Sequence, residues 1–381
     1  MAANNRIFYA CQSVAIGPSG EVLDTVHGVQ SVGINTTFNL EQVFELGQLD
    51  IYENIENVPD IEVTLEKVLD GYPLMYRLAT RKPGRVNPGP ALVDRIKNRC
   101  DVALGIYPDT YSYASGEAPV QVWMSGMYVS SINYTLPTDG SCKESVTLVG
   151  NTKVWNLDYG PDSDYSALSK VTSTNSLAYN DGYDDPKNLH IGYYAGGVQR
   201  RENVIMQSSI MPFDIYGVTA SSVFFGLGNN YNSGSAFDAQ FEANKPKAHI
   251  QNITISADFG RDPIYELGRK GPYYRAASFP VEVKADFEVI SLSGDLIAAF
   301  EEGNAAYINT KNEGNNTGYS CIVIQLQDGT KFDLGSKNKL TSVTYGGADA
   351  GGNNNATSTW SYTGYNILSI TGPFNNAGES A

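Results

Sequence analysis

A segment near the start of the chain recurs 221 residues later, and this repeat restricts the possible folds more than any other feature. Val29 to Pro59 falls on Ile250 to Pro280 without a gap. The identical residues are Gln30, Ile34, Phe38, Glu45, Leu46, Gly47, Tyr52 and Pro59, which face Gln251, Ile255, Phe259, Glu266, Leu267, Gly268, Tyr273 and Pro280. Ordinary residue frequencies give about two such identities by chance in a window of this length. The repeat therefore predicts two copies of one domain, 1–217 and 218–381, with a boundary near Gly217.

The residue pattern within each copy is that of β-strands. Short runs of Val, Ile, Thr, Tyr and Phe alternate with polar residues and stop at Gly, Pro, Asn or Asp, which is typical of half-buried strands. The clearest runs are 61–66 and 281–289, and one residue of slip aligns 61–63 with 281–283. Further strands are predicted at 120–124, 128–134, 144–149, 250–255 and 319–326, and one or two more at 200–215 that close the first domain. Helices are predicted only at 91–99 and 294–302, and an exposed loop at about 158–200.

Composition and charge exclude several classes of protein. The 41 acidic residues exceed the 26 Lys and Arg, which gives a formal charge of −15 and disfavours a surface that grips phosphate. No run approaches the roughly 18–20 apolar residues that span a bilayer, so no membrane anchoring is expected. The first residues lack the pattern of a secretory signal, and we expect no export by that route. The four cysteines are widely spaced and form no CxxC pair, which indicates free thiols.

No constellation of catalytic or metal-ligating residues stands out. No Cys, Asp or Glu lies at ligand spacing beside the histidines His27, His190 and His249. The acidic cluster Asp181, Asp184 and Asp185 lacks the Gly and the closing Glu of a calcium loop. Glu62 and Glu66 could form a glycosidase pair, but residues four apart on the polar face of a strand usually face water. We therefore predict no enzyme activity, no cofactor and no metal.

The order of the motifs resembles a known family. The chain resembles the tail tube proteins of tailed bacteriophages in four segments. These segments are Val29 to Asn39, Phe44 to Gly71, Gly126 to Tyr134 and Glu144 to Gly150. The resemblance implies a mostly β fold of two tandem β-sandwich or barrel domains, with a long loop between two early strands. In that family one sheet from every subunit joins a continuous barrel around a central channel.

The resemblance also implies a biological role. It implies a virion protein of the phage tail, made in the host cytoplasm, that self-associates into rings and a stacked tube. Most tube subunits have one such domain and form hexamers, so a chain with two copies is expected to form a trimeric pseudo-hexamer. Expected partners are sheath or terminator, baseplate and tape measure proteins. The alternatives are a trimeric baseplate hub or tail-associated protein, and a carbohydrate-active β protein.

Two sets of residues are predicted to carry this role. On the polar faces of strands 61–66 and 281–289, the side chains predicted to face the lumen are Glu62, Glu66, Glu282, Asp286 and Glu288. They would repel phosphate, so that DNA passes during ejection without specific binding, and Lys284 on the same face weakens this repulsion. The loops 38–59 and 259–280 have equal length and are predicted to contact the next ring. Their contact residues are predicted to be Phe44, Glu45, Leu46, Leu49, Tyr52, Tyr265, Glu266, Leu267 and Tyr273.

Overall fold

The computed structural model describes residues 12–21, 23–83, 88–106, 120–157, 197–208, 214–215, 247–290, 322–335, 337–346 and 355–372. The strands are β1 Gln12–Pro18, β2 Asp24–Thr25, β3 Val29–Thr37, β4 Leu40–Phe44, β5 Ile51–Glu56, β6 Asp60–Val68, β7 Cys100–Ile106, β8 Val120–Pro137, β9 Lys143–Gly150, β10 Thr152–Leu157, β11 Val204–Ser208, β12 Asp214–Ile215, β13 Lys247–Asp258, β14 Arg261–Ile264, β15 Tyr274–Ala277, β16 Glu282–Ile290, β17 Ile322–Leu326, β18 Lys331–Asp333, β19 Lys339–Gly346, β20 Thr357–Tyr365 and β21 Ser369–Thr371. The helices are α1 Met75–Ala79 and α2 Leu92–Arg95, with one 3-10 turn at Arg201–Asn203. The predicted mostly β fold with few short helices is confirmed.

Eight strands form one continuous antiparallel path in the order β3-β6-β9-β8-β13-β16-β20-β19. The first four strands lie before residue 151 and the last four after residue 246, so both halves of the chain share this sheet. The repeat-related strands β3 and β13 each begin a group of four, and each has a β-bulge at a glutamine, Gln30 or Gln251. The last strands of the two groups, β8 and β19, also carry matching bulges, at Ser130 and Thr341.

These bulges correct one detail of the sequence alignment. Val32 and Ile253 are equivalent, because each lies two residues after the bulge of its strand. Val32 lies opposite Leu65 in the first group, and Ile253 lies opposite Phe287 in the second. Ile61 therefore corresponds to Val283, and the alignment of 61–63 with 281–283 is wrong by two residues. An even shift keeps every side chain on the same face of the sheet, so the prediction of two-faced strands was unaffected. Ile61, Val63 and Leu65 are buried, and so are Val283, Ala285 and Phe287.

A second layer covers the apolar face of this sheet. The N-terminal part of the 18-residue β8 leaves the eight-strand path to pair with β7 and β10, and β7 pairs in turn with β1. A separate sheet has the order β11-β17-β18-β21. The ring centroid of Phe332 on β18 lies 4.6 Å from that of Tyr134 on β8. Buried residues of these layers belong to one hydrophobic cluster, and the described strands do not close into a barrel within the chain.

Several predicted elements are confirmed, and others are corrected or lie outside the described residues. Strands occur at the predicted places, although 120–124 and 128–134 form the single strand β8. The helix predicted at 91–99 is only the four-residue α2. The prediction that 200–215 closes the first domain is wrong, because β11 pairs with β17 and β12 with β13, both in the second half. The helix at 294–302, the boundary at Gly217 and most of the loop at 158–200 lie outside the described residues.

A fully buried carboxylate holds the start of helix α1 against the sheet. Glu144 on β9 accepts hydrogen bonds from the backbone N–H of Met75 (2.7 Å) and Tyr76 (3.1 Å) and from the hydroxyl of Tyr134 (2.8 Å). Burial raises the pKa of Glu144, and the ammonium of Lys67 opposes that rise. Because this carboxylate satisfies N–H groups that a helix start leaves without a partner, it sets the position of Tyr76 beneath the sheet.

The buried Asp328 makes the stability of the fold depend on pH. Its side chain is 2% exposed and accepts the N–H of Thr330 at 2.8 Å, and burial raises its pKa to about 6 from the ordinary 3.8. The Asp328 carboxyl therefore holds its proton more tightly in the folded chain than in the unfolded chain. As a result, the free energy of unfolding falls as pH rises from about 4 to 6. We expect Asp328→Asn to raise the free energy of unfolding at pH 8 by about 1–3 kcal/mol and to change it little at pH 4.

Urea unfolding of both proteins at pH 4, 6 and 8 measures this difference. Asp139→Asn, which changes an exposed carboxylate, serves as the control and should leave the pH profile unchanged. A variant that loses stability equally at all three pH values would contradict the expectation.

Candidate assembly interface

The eight-strand path ends in two strand edges that pair with no other described strand. β3 pairs only with β6, and β19 pairs only with β20, within the described ranges. Because neighbouring strands alternate in direction and the path has an even number of strands, β3 and β19 run in opposite directions. Unpaired edges present backbone N–H and C=O groups that are free to pair with another chain. Two copies of this chain can therefore place β19 of one beside β3 of the other as an antiparallel pair.

The middle of the sheet already contains an equivalent contact. There β8, the last strand of the first group, pairs with β13, the first strand of the second group. The register places Ser131 opposite Asp258, Asn133 opposite Ser256 and Pro137 opposite Asn252. By position in the sheet and by bulge, β19 corresponds to β8 and β3 corresponds to β13. The two edges left open within the described ranges are therefore the counterparts of strands that pair with each other inside the chain.

One face of the sheet is polar across its whole width. Directly opposed residues share a face, so rows of cross-strand partners can be followed from edge to edge. One such row consists of Ser31, Glu66, Ser145, Asn133, Ser256, Lys284, Thr363 and Lys339. The neighbouring row consists of Gly33, Thr64, Thr147, Ser131, Asp258, Glu282 and Tyr365. The polar surface therefore continues across the junction between the two halves.

The five carboxylates predicted to face the lumen lie on this polar face. Along β6 and β16 these carboxylates alternate with buried apolar residues; they are Glu62, Glu66, Glu282, Asp286 and Glu288. Two of them form ion pairs with lysines of the same face, Glu66 with Lys143 at 2.7 Å and Glu282 with Lys284 at 3.3 Å. A further carboxylate, Asp258, lies opposite Glu282, so described carboxylates still outnumber described lysines on this face. The face thus has a moderate acidic excess.

The two long loops form matched β-hairpins. β4 pairs with β5 after β3, and β14 pairs with β15 after β13. Each tip contains Glu-Leu-Gly, with a backbone hydrogen bond from Gln48 to Glu45 (3.2 Å) or from Arg269 to Glu266 (3.4 Å). Gly47 and Gly268 have φ values of 92° and 85°, a conformation that favours glycine. Because β3 and β13 run in the same direction, both hairpins leave the sheet at the same end.

The residues predicted to contact the next ring lie in the outer parts of these hairpins. Leu46, Leu49 and Leu267 are fully exposed. The four aromatic residues of the set are between 45% and 65% exposed; they are Phe44, Tyr52, Tyr265 and Tyr273. Glu45 is also exposed, and Glu266 forms an ion pair with Arg269 at 3.5 Å. Exposed apolar residues concentrated on two projecting tips are typical of an interaction surface.

The base of the second hairpin packs onto the first half of the chain, a contact that the sequence reasoning did not predict. Phe259 is fully buried, and its backbone N–H donates to the carbonyl of Ser130 at 2.8 Å. Arg261 donates 2.7 Å hydrogen bonds to the carbonyls of Val129 and Ile96, and its guanidinium lies 5.2 Å from the ring centroid of Tyr128. Burial lowers the pKa of Arg261 to about 10, so it stays charged at neutral pH.

Two further contacts hold this hairpin base in place. Tyr274 meets the edge of Tyr128 at a centroid distance of 5.7 Å. Arg275 forms an ion pair with Asp60, at the start of β6, and donates to Asn151 at 3.0 Å. Partial burial raises the pKa of Asp60, but hydrogen bonds from Asn39 and Arg275 outweigh it and lower the pKa below the ordinary value. The charged carboxylate is thereby favoured at this junction.

Metal-binding clusters and membrane-crossing helices are both absent from the described residues. No group of three or more His, Cys, Asp and Glu in the described ranges is arranged to hold a metal ion, and the acidic cluster at 181–185 lies outside those ranges. None of the described helices has the length and apolar composition required to cross a bilayer. Cys100 and Cys142 are free and buried, and Cys11 and Cys321 lie outside the described residues.

Comparison with known proteins gives weak structural similarity alone. No family model matches the chain, and no curated protein matches it. Among solved structures, the chain is similar to the cap of the anti-feeding prophage, the AFP tube terminating cap, at 13% identity and a TM-score of 0.29. It is also similar to a chain of the sheath-tube complex of an extracellular contractile injection system, PVC, in the extended state, at 12% identity and a TM-score of 0.29. Each match covers 41% of this chain and 95% of the other.

Proposed function

We propose that this chain is a structural subunit of a phage-tail-like tube, without enzymatic activity, in which copies associate head to tail into rings. The observation that carries the proposal is the β8–β13 junction inside the chain. The same kind of contact between β19 of one copy and β3 of the next leaves no edge of the sheet unpaired. A head-to-tail contact of this kind closes into a ring when its rotation permits.

The two faces of the sheet fit opposite sides of such a ring. The apolar face is already covered by the second layer of each chain, which leaves the polar face to line the channel. Its excess of carboxylates repels phosphate, so DNA can pass during ejection without binding, and the lysine ion pairs moderate that repulsion.

The proposed ring contains three chains. Each chain contributes two groups of four strands. We take these groups as copies of one domain because of the sequence repeat, so three chains would give six units around the channel. All hairpin tips then lie at one end of the ring, where they can contact the next ring. In the assembled particle, the further partners are sheath or terminator, baseplate and tape measure proteins.

Electron microscopy and mass measurement test the proposal directly. We expect negative-stain images of the purified chain to contain rings with a central hole and six lobes, stacked into tubes. Analytical ultracentrifugation under conditions that break the stacks should give a mass of three chains of 41.3 kDa each. A single ring that never stacks would favour the trimeric hub alternative, and a persistent monomer would contradict the proposal.

A further inference from the structure

From the contact that the second hairpin makes inside the chain, we infer how the first hairpin binds a second copy. Given the proposed ring, on which this inference rests, the base of the first hairpin docks beside β19 of the neighbouring chain. Phe38 occupies there the place that Phe259 occupies inside the chain, and Glu53 forms an ion pair with Lys339. The first hairpin is thus an intersubunit clamp, in addition to any contact that its tip makes with another ring.

The first line of evidence is the difference in burial between two identical residues. Phe38 and Phe259 are equivalent in the repeat, and each directly follows the first strand of its group. Phe259 is fully buried because β13 lies beside β8, whereas Phe38 is 69% exposed because β3 has no described neighbour on that side. Phe38 is accompanied in the same hairpin by Leu40 and Phe44, which are 59% and 65% exposed, and an exposed apolar group of this kind is typical of an interaction surface. The equivalent partner is β19 of a second copy, where the carbonyl of Thr341 corresponds to that of Ser130.

The second line of evidence is complementary charge. Inside the chain Tyr274 packs on Tyr128, and this pair lies next to the sheet junction. The counterpart of Tyr274 in the first hairpin is Glu53, and the counterpart of Tyr128, counted from the bulges, is Lys339. Both are exposed, and they carry opposite charges. An aromatic pair within the chain is therefore replaced, at the position between chains, by an acid and a base.

The third line of evidence is that the transferred register brings like faces together. The internal pairing of Ser256 with Asn133 becomes Asn35 opposite Thr344, both on the polar face. The pairing of Ile255 with Tyr134 becomes Ile34 opposite Tyr345, both on the core-facing side. A shift of one residue would place polar residues against the core-facing side along the whole edge.

Two sets of variants test the inference through the chain concentration at which half of the rings form. We expect Phe38→Ala to raise this concentration by roughly 30-fold or more, because a central buried aromatic residue dominates many interfaces. Glu53→Lys and Lys339→Glu should each weaken the ring, and the double reversal should restore it at least partly. The controls are Trp155→Ala, which removes an exposed aromatic residue of β10, and Glu21→Lys, which reverses an exposed charge in the turn after β1.

The outcomes separate this inference from the proposed function. Rings of unchanged stability in Phe38→Ala, or charge reversals without rescue, would overturn the clamp while the ring stands. A wild-type chain that stays monomeric would overturn the proposed function and the clamp with it. Each variant should keep the wild-type unfolding midpoint as a monomer, because Phe38, Glu53 and Lys339 are exposed in the single chain.

Discussion

Cysteines introduced at positions 35 and 344 should join neighbouring chains into a covalently closed ring. The substitutions Asn35→Cys and Thr344→Cys place thiols at the counterparts of Ser256 and Asn133, which lie directly opposite each other in the internal junction. The Cα atoms of such antiparallel pairs are about 4.5–5.5 Å apart, within the range that a disulfide spans. After mild oxidation, non-reducing gels should contain linear two-chain and three-chain products together with one cyclic three-chain species.

The control uses the same chain with the register moved by one residue. Val343→Cys combined with Asn35→Cys puts the two thiols on opposite faces of the sheet, so it should give little product. The native Cys100 and Cys142 are buried, and burial raises the pKa of Cys142 to about 12, so neither competes. Cys11 and Cys321 are replaced by serine throughout. Equal yields from both cysteine pairs would show that the edges do not meet in the proposed register.

The alternation of apolar and polar residues was sufficient to predict the main strands. β6 and β16 are each buried on one face and open on the other, and this periodicity is a local property of the chain. The sequence also indicated which strands correspond between the halves, because the repeat preserves their order. It could not indicate that the halves share one sheet, since the pairing of β8 with β13 depends on contacts between residues more than a hundred positions apart.

Two local errors have identifiable physical causes. Residues 120–137 read as two strands because Gly126, with a φ of 66°, interrupts the alternation, yet the strand continues and changes its neighbours there. Helix α1 was missed because all five of its residues are buried, so its sequence has no polar face and no 3.6-residue period. Its start is held by Glu144, a residue 68 positions beyond Tyr76.

The candidate interface could be predicted only in part. Equal loop lengths and a shared Glu-Leu-Gly motif indicated two matched projections, and the structure has a hairpin in each place. The different surroundings of Phe38 and Phe259 could not be predicted, because the two residues are identical and lie in similar sequence. Phe259 follows β13, which lies beside β8, whereas Phe38 follows β3, which has no described strand on that side. This difference is a property of the assembled sheet.

Charged residues at the hairpin tips should stop the rings from stacking and leave the rings themselves intact. Leu46 and Leu267 are 102% and 104% exposed and lie at the two tips, which leave the sheet at the same end. The proposed ring of three chains would therefore present six of these leucines toward its neighbour. Burial of one leucine contributes about 1.5–3 kcal/mol, and an aspartate placed there would lose this contribution and bring a charge that is costly to remove from water. We expect Leu46→Asp combined with Leu267→Asp to give single rings in place of tubes.

The matched control adds the same two charges at exposed aliphatic residues away from the tips. Val93→Asp and Val198→Asp change residues that are 45% and 41% exposed, and this double variant should still form tubes. Electron microscopy distinguishes single rings from tubes, while sedimentation confirms that the three-chain ring persists. Because the inferred clamp involves the hairpin base and the proposed stacking contact involves the tip, Phe38→Ala and the tip variant should fail at different steps. Tubes of normal length from the tip variant would place the contact between rings elsewhere, and the first hairpin would then serve ring closure alone.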